Sequence, residues 1–136
     1  MAGYSRDRKP FVFLEFHNVT GTGGGPDDDG VDGGPIPVLN LANTPIELIE
    51  AEQPFLVEEY GLLPDTGGPG KHRGALGLVR KYRILAEEAT VQVRSDRRRY
   101  QPYGLLGGKP GTSCNIYLNP ETDGKLLPSK WLMELK

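Results

Sequence analysis

One cysteine, one tryptophan and two histidines are all that this 136-residue chain contains of those residue types. The single thiol, Cys114, closes no internal disulfide, which excludes a disulfide-stapled scaffold and suits a reducing compartment. His17 and His72 stand far apart and in no His-x-x-x-His spacing, so neither opens a recognisable zinc site. An excess of one charge is lacking too. The net charge is −2, too small to gather nucleic acid or an anionic membrane through a global field. No apolar run approaches the ~20 residues that a bilayer demands. Residues 1–10 are polar and basic, without the apolar stretch of a signal peptide. The expectation is a soluble, cytoplasmic chain with no membrane or nucleic-acid partner.

Glycine and proline are plentiful, at 19 and 12 residues, and hydrophobic side chains make up 37%. A free-standing domain usually reaches about 45–50% once glycine is counted. This chain nears that range only by including glycines, which have no side chain to bury. One modest core is expected, completed by packing against partner subunits.

The order of elements reads as mainly β (α+β). A mixed sheet or barrel-like single domain over 1–136 is expected, with one short helix and long Gly/Pro-rich loops. Residues 1–10 read as a flexible arm, and 11–16 as a strand of β-formers. The segment 20–37 is so dense in glycine, proline and aspartate that it reads as a long loop, either disordered or held by partners. Asn43 or Thr44 can cap a helix that has Pro45 in its first turn and Ile46, Leu48, Ile49 and Ala51 along it. Its acids Glu47 and Glu50 lie near the positive end of the helix dipole. Strands follow at 55–60, 76–85, 90–94, 116–118 and 130–135. Leu78, Arg80, Tyr82 and Ile84 share one face of the second of these. The 76–85 and 90–94 segments read as a hairpin turning at 86–89.

Two blocks combine glycine with cationic side chains. The first is Pro64-Asp65-Thr66-Gly67-Gly68-Pro69-Gly70-Lys71-His72-Arg73-Gly74. The second runs from Ser95-Asp96-Arg97-Arg98-Arg99 to Tyr103-Gly104-Leu105-Leu106-Gly107-Gly108-Lys109-Pro110-Gly111. Gly70-Lys71 falls short of a phosphate loop, because Asp65 replaces its first glycine and His72 its Ser or Thr. That block reads as a glycine turn directing Lys71, His72 and Arg73 at a neighbouring acid or backbone. Asp27-Asp28-Asp29-Gly30-Val31-Asp32 fails the calcium-loop spacing, with Val31 and Asp32 at its fifth and sixth positions, and reads as solvated loop acid. The arginine tract, flanked by Tyr100 and Tyr103, fits ion pairs across a subunit interface or anchoring of Asp96 better than RNA stacking. Ser95 lacks a nucleophile elbow, and Cys114 has no histidine placed beside it. No catalytic, cofactor-binding or metal residue is assigned. The candidate structural or interface motif is Asp65, Gly67, Gly68, Gly70, Arg73, Gly74, Ser95, Asp96, Arg97, Arg98, Gly104, Gly107 and Gly108.

These blocks resemble a known family. Asn43-Thr44-Pro45-Ile46-Glu47 with Glu50-Ala51-Glu52-Gln53-Pro54, the run from Pro64 to Arg80, Ser95-Asp96-Arg97-Arg98, Pro102-Tyr103-Gly104-Leu105 and Gly107-Gly108-Lys109-Pro110-Gly111 are similar, in order, to the hydantoinase B/oxoprolinase family. The resemblance covers about 11–128. It implies a detached piece of the C-terminal part of large subunits that open hydantoins or oxoproline with ATP, or carboxylate ketones without biotin. A small separate subunit is similar to the acetophenone-carboxylating branch, where acetophenone and bicarbonate give benzoylacetate. Larger subunits of a hetero-oligomer are then the implied partners, and Mg-ATP belongs to the complex, with no cofactor on this chain. A histidine-containing stretch precedes the Asn-Thr-Pro run in many members. Here 35–42 has none, so no family metal site carries over. The leading expectation is a structural subunit of a ketone carboxylase. A cyclic-amide hydrolase subunit is the alternative, and an anion-binding module a third.

Overall fold

The computed structural model describes residues 1–15, 21–34 and 43–135. It is mainly β, with eight strands and one short helix among them. In chain order these are β1 (Ala2–Tyr4), β2 (Pro10–Val12), α1 (Ile46–Glu52), β3 (Phe55–Leu63), β4 (Gly77–Ile84), β5 (Glu88–Arg94), β6 (Tyr117–Leu118), β7 (Lys125–Leu126) and β8 (Lys130–Leu135). A four-stranded sheet has the order β2-β1-β5-β8, and two-stranded sheets are formed by β3-β4 and β6-β7. Every one of these pairings is antiparallel, so the sheet is not mixed, and none of the sheets closes into a barrel.

The amino-terminal segment is not a flexible arm. β1 hydrogen-bonds on both edges, to β2 with Gly3 opposite Phe11 and to β5 with Gly3 opposite Ala89. Three residues are too few to show an alternating pattern, which is why composition alone points to a tail.

The expected hairpin between β4 and β5 does not form. β4 pairs instead with β3, Phe55 opposite Ile84 and Leu63 opposite Gly77, across the first glycine block. β5 turns away and pairs with β8, placing Ala89, Val91 and Val93 opposite Leu135, Met133 and Trp131. The physical reason lies in the side chains. β4 carries Arg80 and Tyr82 on its patterned face, whereas β5 offers an apolar row that the apolar row of β8 matches. Leu85, between the two strands, donates its N–H to the Pro54 carbonyl at 2.8 Å and so starts the change of sheet.

α1 falls where expected, but no side chain caps it. Its Pro45 carbonyl receives the Leu48 and Ile49 N–H groups, and Asn43 is engaged elsewhere. Glu50 accepts the Val57 N–H at 2.8 Å, tying the helix to the start of β3.

The core is small and gathers where the sheets and α1 meet. Phe11, Ile49, Phe55 and Ala89 are buried together, with Phe13, Val57, Tyr82 and Ile84 packed around them. Phe55 is the central plug. Its ring meets Phe11 and Phe13 edge-on at 5.5 and 5.4 Å, and Tyr82 at 6.3 Å. Full burial of such a ring contributes about 2–3 kcal/mol. Against that core, Val12, Leu14, Leu105, Leu106 and Leu132 lie open to solvent.

A core this thin predicts that the isolated chain melts broadly and with low enthalpy, without a cooperative baseline-to-baseline transition. Differential scanning calorimetry of the monomer checks this; a sharp two-state peak contradicts it.

A glycine-loop cluster as candidate functional site

Three loop segments that are remote in sequence meet at one end of the β3-β4 pair: the described part of the aspartate-rich loop, 21–34, and the two glycine blocks. Arg73 is the centre of the first contact. Its Nη1 and Nη2 each donate to a carboxylate oxygen of Asp32 at 2.9 Å, a two-pronged pair. Asp32 Oδ1 also accepts the Leu76 N–H at 2.7 Å. Asp29 accepts the Arg73 N–H at 2.8 Å and lies 3.8 Å from His72 Nδ1. Backbone bonds join the same partners, from the Gly30 N–H to the Arg73 carbonyl at 2.7 Å and from the Ala75 N–H to the Thr22 carbonyl at 3.0 Å. The Arg73 guanidinium and the Leu76 N–H hold the Asp32 carboxyl down at about 2, against an ordinary 3.8.

Asp29 and Asp32 are therefore not merely solvated, whereas Asp27 and Asp28 lie exposed as the sequence suggests, and the chain itself holds this part of the loop. The turn that faces Arg73 toward a neighbouring acid is as the glycine block suggests. The overlooked signal is complementarity: a run of four acids and a Lys-His-Arg run on one chain.

The second contact joins the two glycine blocks. Thr66 donates its hydroxyl to the Leu63 carbonyl and receives the Gly77 N–H, both at 2.6 Å, closing the base of the loop between β3 and β4. Its carbonyl accepts both the N–H and the hydroxyl of Thr112 at 3.2 Å. The Lys109 N–H donates to the Pro69 carbonyl at 2.8 Å, and the Gly111 N–H to the Pro102 carbonyl at 3.0 Å. The backbones approach so closely that a Cβ on Gly68 would stand 2.7 Å from the Lys109 carbonyl oxygen. One on Gly104 would stand 2.4 Å from the Gly108 carbonyl carbon. Only glycine fits at either place. Gly67 packs against the Gly74 carbonyl, and the Gly74 N–H donates to the Gly68 carbonyl at 2.9 Å. Gly70 lies beside Gly108, while Asp65 and Gly107 form exposed turns with φ of +58° and +89°.

Ser95 sits apart from this cluster. Its N–H and hydroxyl both bond the Ser129 carbonyl, at 2.7 and 3.1 Å, which anchors the end of β5. Asp96 is exposed. Arg97, at φ +58°, accepts the Cys114 N–H on its carbonyl. Arg98 is half-buried, with Nη1 enclosed and no acceptor near it among the described residues. The glycine blocks thus meet as a group, while the arginine tract extends from them.

A second network lies on the patterned face of β4. Arg80 pairs with Glu15, which also accepts the Tyr82 hydroxyl at 2.5 Å. Arg80 Nη2 donates to Asn43 Oδ1 at 2.7 Å, and its guanidinium lies 4.2 Å from the centroid of the Tyr60 ring. Burial is the main cause that raises the Tyr82 pKa. Asn43, at the head of the Asn-Thr-Pro run, is thus held against β3 and β4 through Tyr60 and Arg80, not by helix capping. His17 lies outside the described residues. No group of three or more His, Cys, Asp or Glu side chains among the described residues could hold a metal ion. Nor is any helix among them long and apolar enough to cross a membrane.

The first glycine block links two strands, whereas a phosphate loop opens a helix. Its Thr66 and Arg73 side chains hold neighbouring backbone and the Asp32 carboxylate. The family model for hydantoinase B/oxoprolinase matches residues 1–135, and the chain belongs to that family. It is 41% identical over 86 residues to an uncharacterised protein of Methanocaldococcus jannaschii, 63% of this chain and 15% of that protein. It is 37% identical over 89 residues to the 5-oxoprolinase of Dictyostelium discoideum, 65% of this chain and 7% of the other. A putative D-/L-hydantoinase subunit of Pseudomonas sp. (strain NS671) is 34% identical over 104 residues, 75% of this chain and 17% of that protein. The chain therefore spans a small part of each relative's length. No solved structure matches it.

Replacing Asp32 with Asn removes the charge that Arg73 grips, leaving the cationic partner half-exposed. In Asp32→Asn the Gly30, Ala75 and Leu76 amides are expected to exchange with deuterium roughly tenfold faster or more, while those of β5 are unchanged. The sign with pH follows from the lowered carboxyl. Its contribution to loop order is complete above pH 3.8 and is lost as pH falls through about 2. The wild-type amide shifts of Gly30 and Leu76 should titrate across that window, and those of Asp32→Asn should not.

Proposed function

We propose that this chain is a scaffolding component of an ATP-dependent hydantoinase/oxoprolinase-type cyclic amidohydrolase, without a complete active site of its own. The observation that carries the reading is the use made of its polar side chains. Asp32, Arg73, Thr66 and Thr112 all hold loops to loops, and Arg80 holds the Asn-Thr-Pro run to a strand. None of these is presented with the nucleophile-and-base geometry that ring opening requires. Family membership and relatives named as 5-oxoprolinase and as a hydantoinase subunit support a cyclic amide as the substrate class. They move the reading from ketone carboxylation to ring opening.

In this reading the bulk of the family polypeptide supplies Mg-ATP binding and the reacting groups. This chain fixes a loop platform beside them. Partner chains belong to this reading, supported by one relative's designation as a subunit.

The test is substrate-dependent ATP turnover by the complex co-purified through a tag on the full chain. Phosphate release that rises with 5-oxoproline or a hydantoin is the expected result. Bicarbonate fixation that depends on acetophenone, with no response to cyclic amides, would instead establish the carboxylase branch.

A further inference from the structure

Arg94, Arg97, Arg98 and Arg99 crowd into six residues, yet none of them enters an ion pair among the described residues. The other arginine-bearing loop behaves in the opposite way, since Arg73 is gripped by Asp32 at 2.9 Å. Arg97 and Arg99 lie instead over the rings of Tyr103 and Tyr100, at 5.9 and 5.5 Å from the centroids. Arg98 is half-buried, and its enclosed Nη1 has no hydrogen-bond acceptor among the described residues.

The apolar groups beside them are equally unpartnered. Tyr100 and Tyr103 are 71% and 72% exposed, Leu105 is 76% exposed, and Leu106 is wholly exposed. Leu106 also sits at φ +51°, in the left-handed region that a leucine enters only at some cost. A turn closed by the Gly108 N–H on the Leu105 carbonyl at 2.9 Å fixes this projection. Its base is clamped to the first glycine block through Lys109 and Pro69. Water does not stabilise a strained, projecting leucine. Tyrosine and arginine around an apolar anchor are what protein interfaces concentrate at their centres.

We propose that the lobe 97–106 is the surface through which this chain docks on the remaining hydantoinase B polypeptide. Leu106 enters an apolar pocket there, and carboxylates on the pocket rim receive Arg97, Arg98 and Arg99. The proposal rests on the multi-component reading above. The occupant follows from two observations. The chain matches the family from 1 to 135 but spans 15% of one relative and 17% of another, so most of the family polypeptide lies outside it. The unpaired cations then set the sign of the partner's face. The exposed face of the four-stranded sheet, with Val12 and Leu132, carries Arg94 but none of Arg97, Arg98 and Arg99, and serves as a control surface.

The experiment places a photo-crosslinking amino acid at position 106, or at 132 as control, in the tagged full chain expressed in its source cells. Adducts are mapped by mass spectrometry. The double variant Arg97→Glu/Arg99→Glu and the single variant Leu106→Asp are purified in parallel, with amide spectra checking that their folds match the wild type. The expected result is a 106-specific adduct to a carboxylate-bearing peptide of a hydantoinase B large chain. Co-purification of that chain should fall roughly tenfold or more in both variants, and fall with added salt. Adducts from 106 to a second copy of this chain or to nucleic acid overturn the proposal. So does a large chain retained undiminished by both variants, which leaves the complex intact and removes only this surface from it. A large chain absent even from the wild-type purification removes the multi-component reading as well.

Discussion

The two-pronged contact of Arg73 with Asp32 decides how the glycine-rich end of this protein is built. It joins residues 41 apart in sequence, and Asp32 at the same time accepts the Leu76 N–H where the chain enters β4. A segment so rich in glycine and aspartate loses a large conformational entropy on ordering and has few apolar groups to offset it. What offsets it here is polar: charge-assisted bonds to Arg73, and backbone bonds from Gly30 and Ala75. The first glycine block cannot then be treated as a free loop. One side of it grips the aspartates, and the other carries the second glycine block on Thr66 and Pro69. The loops are fixed as a stack, with the Arg73 pair at one end.

That stack stands beside a core too small to define the molecule alone. Phe55 binds β3 to the four-stranded sheet and to α1, and few other side chains are fully enclosed among the described residues. Hydrogen-bonded loops therefore take a larger share in holding the structure than in a typical domain. Electrostatics adds to it along β3 and β4. The bulge at Val57 and Glu59 leaves Glu58 within 3.0 Å of Lys81, and that bond chiefly lowers the Glu58 pKa.

How much of this could be read from the chain depended on the range of the interaction. The helix at 46–52 and the strands read at 55–60, 76–85 and 130–135 were legible because periodicity and proline placement are local, although the first runs on to Leu63. The face shared by Leu78, Arg80, Tyr82 and Ile84 was legible for the same reason. Pairing was not. Alternation says that a segment is a strand but not which partner it takes, and so a hairpin is expected where β4 and β5 in fact part. Asn43 shows the same limit at the site. Its position before Pro45 suits a cap, but Arg80, 37 residues away, engages its side chain. The glycine blocks were legible as shaped loops, while their mutual contact depends on the fold of everything between them.

The two cationic blocks look alike in sequence, each mixing arginine with glycine turns, but their surroundings set them apart. Arg73 meets an acid, a carbonyl and a neighbouring loop, so its charge serves the fold. Among the described residues, the Arg97 and Arg99 guanidiniums meet the faces of tyrosines that are themselves exposed, and Arg98 has no acceptor at its enclosed nitrogen. A ring face attracts a guanidinium far less than a desolvated carboxylate does. Folding therefore leaves Arg73 satisfied and the arginines of the other block without ion pairs among the described residues. Both are anchored to the same loop stack, since Lys109 and Thr112 fasten the second block to the first. The rigidity supplied by the Asp32–Arg73 pair is thus passed to the lobe that still lacks contacts. A docking surface gains most from support of this kind, because the ordering entropy of its loops is already lost before association.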